Sequence, residues 1–361
     1  MDTPALTDTD TDSHAGASDH PVHNSPAPGR SRSPVLNRLF ARREALPFAL
    51  LVAAILWFWS DNHTFLSLLN ISGMLAYAPE LGIMALGMTL LLTAGQFDLS
   101  VGSVFSFIPI LVFIIANNLH VALTVAVLVG LAAAAVIGLI NGILVTKFGI
   151  TSFLVTLATQ LILAGAAVYV TAGFPEATLA ATHSAIEPLL VGTVNIGRLE
   201  LYAGLFWFIG LALILDYVLR QTSFGNWILA TGGNREAARS RGIRVDRVTI
   251  GLFILTAVLG GLAGTISDIR VGSAYPTAGQ GYELQVIAMA VIGGTSLFGG
   301  SGTIVGTLIG VILLQAISNG VVLVGFPGLA YPMFVGAIIL VAMLLQSGLR
   351  QINIGLERRR R

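Results

Sequence analysis

The sequence predicts an all-α membrane protein that crosses the bilayer about ten times. Of its 361 residues, 55% are hydrophobic and only 10% are charged, whereas water-soluble domains carry about 25% charged residues. The apolar residues form runs of about 16 to 24, long enough to cross about 30 Å of hydrocarbon as helix. These runs lack the polar stripe of a soluble helix, and the alternating pattern of membrane β-strands is not visible.

The basic residues support both the span count and the orientation. The predicted spans lie near 45–60, 72–94, 101–116, 121–145, 151–171, 201–219, 248–269, 284–297, 302–322 and 329–346. With both termini cytoplasmic, only Arg198 and Arg270, of the 19 basic residues, fall outside. This distribution obeys the positive-inside rule. It predicts a multi-pass protein of a bacterial inner (plasma) membrane with cytoplasmic N- and C-termini.

The chain divides into a membrane domain and two tails. Residues 1–44 begin with a stretch rich in Asp, Thr, Ser, His and Pro, which predicts a disordered cytoplasmic tail. Residues 45–348 form the transmembrane domain, and 349–361 form a basic cytoplasmic tail. The domain carries a long external loop, 171–200, and a cytoplasmic loop, 220–247. The external loop is either a simple connection or a contact surface, because long loops are often functional.

The cytoplasmic loop holds a short helix with signals at both ends. Asn234 is a good N-cap, and Glu236 lies in the first turn, where the helix dipole favours an acid. Arg239 lies near the end, and Gly242 suits the left-handed position after a helix. Complete capping of so short a helix favours a docking surface over a merely solvated loop. Its predicted contact residues are Asn234, Glu236, Ala237, Ala238, Arg239 and Gly242.

Two glycine-rich polar breaks, Gly95–Ser103 and Gly293–Gly302, interrupt the apolar runs. Non-helical backbone at membrane depth must be buried in protein or line a water-filled cavity. An Asn-Gly pair followed by Phe recurs in two runs of opposite direction, which favours an inverted repeat with a midplane site. The candidate pathway residues are Gln96, Asp98, Ser103, Thr295, Ser296, Asn141 and Asn319.

Two acidic residues near the spans, Asp98 and Asp268, can be explained by local contacts instead of a role in transport. Asp98 either lines the pathway or accepts hydrogen bonds from the backbone where the helix near Ser100 begins, and the second interpretation is favoured. Asp268 and Arg270 predict a local charge pair at an interface.

The sequence lacks the residue patterns that catalytic, metal-binding and phosphate-binding sites require. The chain has no cysteine, its histidines are scattered, and no catalytic or metal-binding spacing occurs. We therefore predict no catalytic residue, no metal site and no enzymatic activity. A phosphate-binding loop needs Gly-Lys-Ser or Gly-Lys-Thr, and the single lysine, Lys147, follows Thr146 and precedes Phe148. No cofactor is expected on this chain; ATP and Mg²⁺ would bind a partner.

The segment Glu236–Gly242 (EAARSRG) resembles the coupling signature of ATP-binding cassette importer permeases. The segments Gly95–Ser103 (GQFDLSVGS), Gly232–Arg239 (GGNREAAR) and Gly293–Gly302 (GGTSLFGGSG), with Gly306–Gly310 (GTLIG), resemble the ribose, xylose and arabinose permeases. Branched-chain amino-acid permeases belong to the same superfamily. The similarity covers about residues 45–348. Gln96 and Phe298 depart from the family pattern, where glycine and a small polar residue are expected.

The resemblance implies a type II importer with inverted repeats. It would contain two permeases, identical or different, two cytoplasmic ATPases, and a periplasmic sugar-binding protein, with no role for nucleic acid. ATP-driven motion of the coupling helix would switch access to a central pathway for a monosaccharide or related polyol. Two alternatives stay open: an importer permease for branched-chain amino acids or nucleosides, and an ion-coupled secondary transporter.

Overall fold

The computed structural model describes residues 45–177, 186–330, 332–337, 340, 341 and 344. Its helices are α1 (Ala45–Asp61), α2 (Leu68–Thr93), α3 (Val101–Leu119), α4 (Leu123–Lys147), α5 (Ser152–Val170), α6 (Glu187–Val191), α7 (Ala203–Gln221), α8 (Ser223–Gly233), α9 (Arg235–Ser240), α10 (Val245–Val271), α11 (Tyr282–Ile292) and α12 (Ile304–Leu323). Short 3₁₀ helices cover His63–Leu66 and Gly328–Ala330, and residues 332–337 are helical. The predicted tails, 1–44 and 349–361, lie outside the described residues.

The predicted helical membrane architecture is confirmed. Within the described part of the chain, seven helices are long and apolar enough to cross a bilayer: α2, α3, α4, α5, α7, α10 and α12. Two shorter apolar helices, α1 and α11, coincide with two more of the predicted spans. The tenth predicted span, 329–346, is described only in part.

The eighth predicted span, 284–297, is not one continuous helix. Helix α11 has 11 residues, so at 1.5 Å per residue it covers about half of a 30 Å hydrocarbon layer. It ends at Gly293, whose added Cβ would lie 2.4 Å from the backbone of Gly306 in α12. This close approach of two backbones ends the helix where the apolar pattern alone continues.

The described parts of the predicted external loop, 171–177 and 186–200, contain three short strands. Strand β1 (Glu176–Ala177) pairs antiparallel with β4 (Ser273–Ala274), directly after α10. Strands β2 (Thr193–Ile196) and β3 (Leu199–Tyr202) form a hairpin before α7. The β1–β4 pair ties the loop to the last turn of α10.

Helix α10 lies against α2, α3 and α4, and glycines allow the close contacts. An added Cβ on Gly138 of α4 would lie 2.5 Å from the carbonyl oxygen of Phe253. One on Gly264 of α10 would lie 2.0 Å from the carbonyl oxygen of Phe105. Small residues at helix crossings are the usual packing solution where lipid removes the hydrophobic driving force between helices.

The order of elements supports the inverted repeat. Helix α2 is followed by a non-helical break and α3, and α10 by a non-helical break and α11. The long helices run in opposite directions, because Gly87 of α2 faces Thr256 while Glu80 faces Arg270. The break after α10 meets helix α3 at Gly279, whose N–H donates to Ser106 Oγ (2.9 Å). The predicted Asn-Gly pairs also take equivalent places, Asn141 in α4 and Asn319 in α12.

Candidate functional site

The capped cytoplasmic helix is present as predicted. Helix α9 spans six residues, and Asn234 Oδ1 accepts a hydrogen bond from the backbone N–H of Ala237 (3.0 Å). Gly242 has φ of 83° and donates its N–H to the carbonyl of Arg239 (2.9 Å). The start and stop signals are local, which explains why the sequence alone locates this helix.

Helix α9 has a buried face and an exposed face. Ala238 is buried, so it anchors the helix to the fold, while Glu236 and Ala237 are exposed. Arg239 pairs with Asp246 at the start of α10 (2.7 Å). The half-buried Arg235 donates to Thr249 Oγ1 (3.0 Å). These contacts hold α9 against α10 and leave Glu236 in its first turn exposed.

The helix directly before α9, α8, was not predicted from the sequence. Thr222 Oγ1 accepts from the backbone N–H of Gly225 (3.3 Å) and so caps α8. The Thr222–Gly225 spacing is a capping signal that could have predicted α8. Helix α8, the segment after α9 and the start of α10 line a groove of about 440 Å³ with apolar and basic side chains. Its lining residues are Phe224, Trp227, Arg241, Gly242, Ile243, Arg244, Arg247 and Val248.

A junction of glycines joins α8 to both predicted breaks. An added Cβ on Gly232 would lie 1.9 Å from the carbonyl oxygen of Thr93 and 2.6 Å from the nitrogen of Gly300. One on Gly299 would lie 2.7 Å from the carbonyl oxygen of Gly232 and 2.8 Å from Cα of Gly95. Gly300 N donates to Thr93 O (2.9 Å). Three backbone segments are therefore in direct contact at the base of the cytoplasmic helices.

Asp98 begins a hydrogen-bonded chain inside the fold. Its Oδ1 accepts from the backbone N–H of Ser100 (2.8 Å) and from Ser100 Oγ (2.5 Å). Asn141 donates to Ser100 Oγ (3.0 Å) and accepts from Thr159 Oγ1 (2.7 Å). The predicted local backbone contact is thus confirmed for one carboxylate oxygen.

The other carboxylate oxygen of Asp98, Oδ2, is buried and has no hydrogen-bond partner among the described residues. One oxygen of the Asp98 carboxyl group therefore accepts hydrogen bonds from Ser100, and the other could accept a hydrogen bond from a further donor.

The remaining predicted pathway residues fall in separate places. Ser103 donates to the carbonyl of Gln160 (3.0 Å), close to the Asp98 chain, and Gln96 is half-buried in the break. Thr295 is buried, and its hydroxyl has no hydrogen-bond partner within the described ranges, while Ser296 accepts from Phe298 N (3.2 Å). Asn319 instead exchanges hydrogen bonds with Asn70 (2.8 and 2.9 Å), at the opposite end of α2.

The predicted Asp268–Arg270 pair is wrong. Among the described residues, Arg270 forms its ion pair with Glu80 of α2, which lies 190 positions away in sequence. Residues two apart on a helix do not share a face. Helix packing therefore decides the partner of Arg270, and one oxygen of Asp268 finds no hydrogen-bond partner in the described part of the chain.

In the described ranges, no group of three or more His, Asp or Glu side chains is arranged to hold a metal ion. The features that indicate a function are the membrane spans, the broken helices and the pair of short helices α8 and α9. Together these define a polytopic membrane permease.

Comparison with known proteins identifies the family. Residues 70–344 match the family described as the branched-chain amino acid transport system permease component, and the chain belongs to it. It is therefore a multi-pass transport component. No solved structure matches the chain.

Three curated relatives illustrate the range of the family. The ribose import permease of Escherichia coli strain K12 is 37% identical over 86% of this chain and 94% of its own length. The xylose/arabinose import permease of Sulfolobus acidocaldarius is 34% identical over 82% and 83%. The L-arabinose ABC transporter permease of Azospirillum brasilense is 30% identical over 89% and 91%.

Proposed function

We propose that this permease carries a monosaccharide or related polyol inward as part of an ATP-binding cassette importer. Cytoplasmic ATPases would dock on α8 and α9, and an external binding protein would deliver the sugar. A second permease, identical or not, would complete the pathway. The names of the curated relatives support the sugar, and the family supports a multi-subunit system.

The glycine junction is the observation that carries this proposal. Gly232 ends α8 and touches Thr93 and Gly300, so a push on the cytoplasmic helices reaches both breaks through backbone contacts. Because these contacts join backbone atoms, no side-chain rearrangement can accommodate the motion there. Closely packed interfaces change between discrete arrangements instead of deforming gradually. ATPase movement would in this way alter access to the pathway.

The exposed first turn of α9 and the neighbouring groove form the docking surface in this proposal. Glu236 is exposed at the N-terminal end of α9, where the positive end of the helix dipole stabilises its negative charge. The groove is lined by Phe224 and Trp227 together with three arginines, Arg241, Arg244 and Arg247. Aromatic and arginine side chains are enriched among residues that dominate protein interfaces.

Reconstitution tests the function. The permease is placed in proteoliposomes with candidate ATPase and binding proteins, and uptake of labelled D-ribose, D-xylose, L-arabinose and L-leucine is measured. We expect ATP-dependent uptake of at least one sugar. ATP-independent uptake driven by a proton or sodium gradient would refute the proposal in favour of a secondary transporter. Uptake of leucine alone would refute the sugar.

A charge reversal tests the docking surface. Glu236→Arg places a cation at the positive end of α9, so ATPase capture by the solubilised permease should fall. Glu200→Arg is the matched control, because Glu200 is an exposed acid in β3, away from α9. Equal ATPase capture by both variants would contradict docking at α9.

A further inference from the structure

We propose that Tyr77, Glu80, Asp268, Arg270 and Tyr282 form a binding site for a polyhydroxylated substrate. This inference rests on the proposed sugar transport and specifies where the sugar is held. The site lies between α2, α10 and the start of α11, in the half of the helix bundle away from α8 and α9.

A charged pair lies at the centre of the site. Arg270 pairs with Glu80, and their side chains are only 14% and 9% exposed. The Arg270 guanidinium carbon lies 4.4 Å from the ring centroid of Tyr77. Glu80 lies inside the predicted span 72–94, where an ionisable side chain is costly and usually faces a cavity, a pathway or a partner. The pair therefore needs a functional explanation, since a well-packed apolar pair could replace it without loss of stability.

Asp268 supplies a buried carboxylate oxygen that accepts no hydrogen bond from the described part of the fold. It is 3% exposed, and its Oδ2 has no hydrogen-bond partner among the described residues. Glu80 and Arg270 both act electrostatically on it, which places the three charges in one cluster. Because Arg270 is engaged by Glu80, the cluster has one carboxylate more than its guanidinium balances. A buried acceptor without a partner costs free energy that a bound hydroxyl donor would recover.

The cluster also lies at both ends of a broken membrane segment. Asp268 and Arg270 precede the break at 272–281, and Tyr282 follows it. Gly279, inside the break, packs on Gly102 of α3, where its added Cβ would lie 1.9 Å from the carbonyl oxygen. Movement of the break would therefore change both the site and its access.

The available groups fit a neutral polyol. Sugar hydroxyls both donate and accept, so one hydroxyl can donate to Asp268 while another accepts from the guanidinium of Arg270. Tyr282 lies within electrostatic range of Glu80, Asp268 and Tyr77, and its ring meets Phe105 edge-on at 5.2 Å. Such sites combine apolar and aromatic walls with a few fixed polar groups.

The test uses the complete importer in proteoliposomes with labelled D-ribose as the probe. In Asp268→Asn, ribose uptake should fall about tenfold or more, the loss expected for one hydrogen bond to a charged group. ATPase stimulation by the loaded binding protein should stay at the wild-type level, because docking is untouched. Asp216→Asn is the matched control; Asp216 is a span acid already paired with Arg220 (2.8 Å), and its variant should transport normally.

A second measurement covers the case in which Asp268→Asn misfolds. The chain has no cysteine, so Ser267→Cys and Ser72→Cys each introduce a single thiol at a buried serine. D-ribose should slow alkylation at position 267, next to the cluster, and leave position 72 unaffected. Normal ribose uptake in Asp268→Asn, or equal alkylation with and without ribose at position 267, would overturn the site.

The wild-type complex separates the two proposals. If it transports no sugar, the proposed function fails. If it transports ribose and Asp268→Asn transports it equally well, only the binding site fails.

Discussion

Replacing Gly232 with alanine should separate ATP hydrolysis from transport. The new methyl group would lie 1.9 Å from the carbonyl oxygen of Thr93, where ordinary contacts begin at 3.4 Å. The segments must therefore separate by about 1.5 Å, and the hydrogen bond from Gly300 N to Thr93 O must lengthen. Overpacking costs about 1–3 kcal/mol, and the buried hydrogen bond adds about 1 kcal/mol.

Alanine also favours the helical state over glycine by about 1 kcal/mol, so the net destabilisation should be about 1–3 kcal/mol. Gly233→Ala is a matched control. It receives the same helix benefit, but its added Cβ would lie 3.9 Å from the Cα of Gly300, an ordinary van der Waals contact. The comparison thus isolates the contact with Thr93 from the change in helix propensity.

The assay measures thermal unfolding, ATPase activity and sugar uptake of the reconstituted complex for both variants. Gly232→Ala should lower the unfolding temperature and reduce uptake more than ATP hydrolysis, because docking residues on α9 are unchanged. Gly233→Ala should behave like the wild type or be slightly more stable. Indistinguishable uptake and stability in the two variants would refute a mechanical role for the glycine junction.

The other predictions concern the cap, the predicted breaks and the topology. Gly242→Val should reduce ATPase capture, because left-handed backbone costs a side chain about 1–2 kcal/mol, whereas Gly242→Asn should retain it; equal capture would exclude a role for the cap. Asp98→Asn should partly reduce sugar uptake with normal expression, since it keeps the Oδ1 acceptor and loses the charge; full uptake in both Asp98→Asn and Thr295→Val would make the breaks purely structural. Ser240→Cys should react with an impermeant thiol reagent only after permeabilisation, and Asn195→Cys in intact cells with a leaky outer membrane. Labelling of both from one side would refute the ten-span topology.

Composition and local signals determined much of this protein. Apolar runs predict helical spans because each backbone group in lipid needs an internal hydrogen bond. Asn234 and Gly242 determined where α9 begins and ends, because caps act within a few residues. The motifs at Gly95–Ser103 and Gly293–Gly302 predicted the family that the comparisons then confirmed.

Contacts between distant segments required the tertiary structure. The partner of Arg270 is Glu80, 190 positions away, and no local pattern identifies it. The short length of α11 depends on the approach of Gly293 to Gly306, and the glycine junction exists only because Gly232 meets Thr93. Apolar periodicity reports which residues avoid water, but in a bilayer protein nearly every span is apolar. Which face meets which neighbour is therefore decided by backbone approach and buried charge, and these become visible only when the helices are packed together.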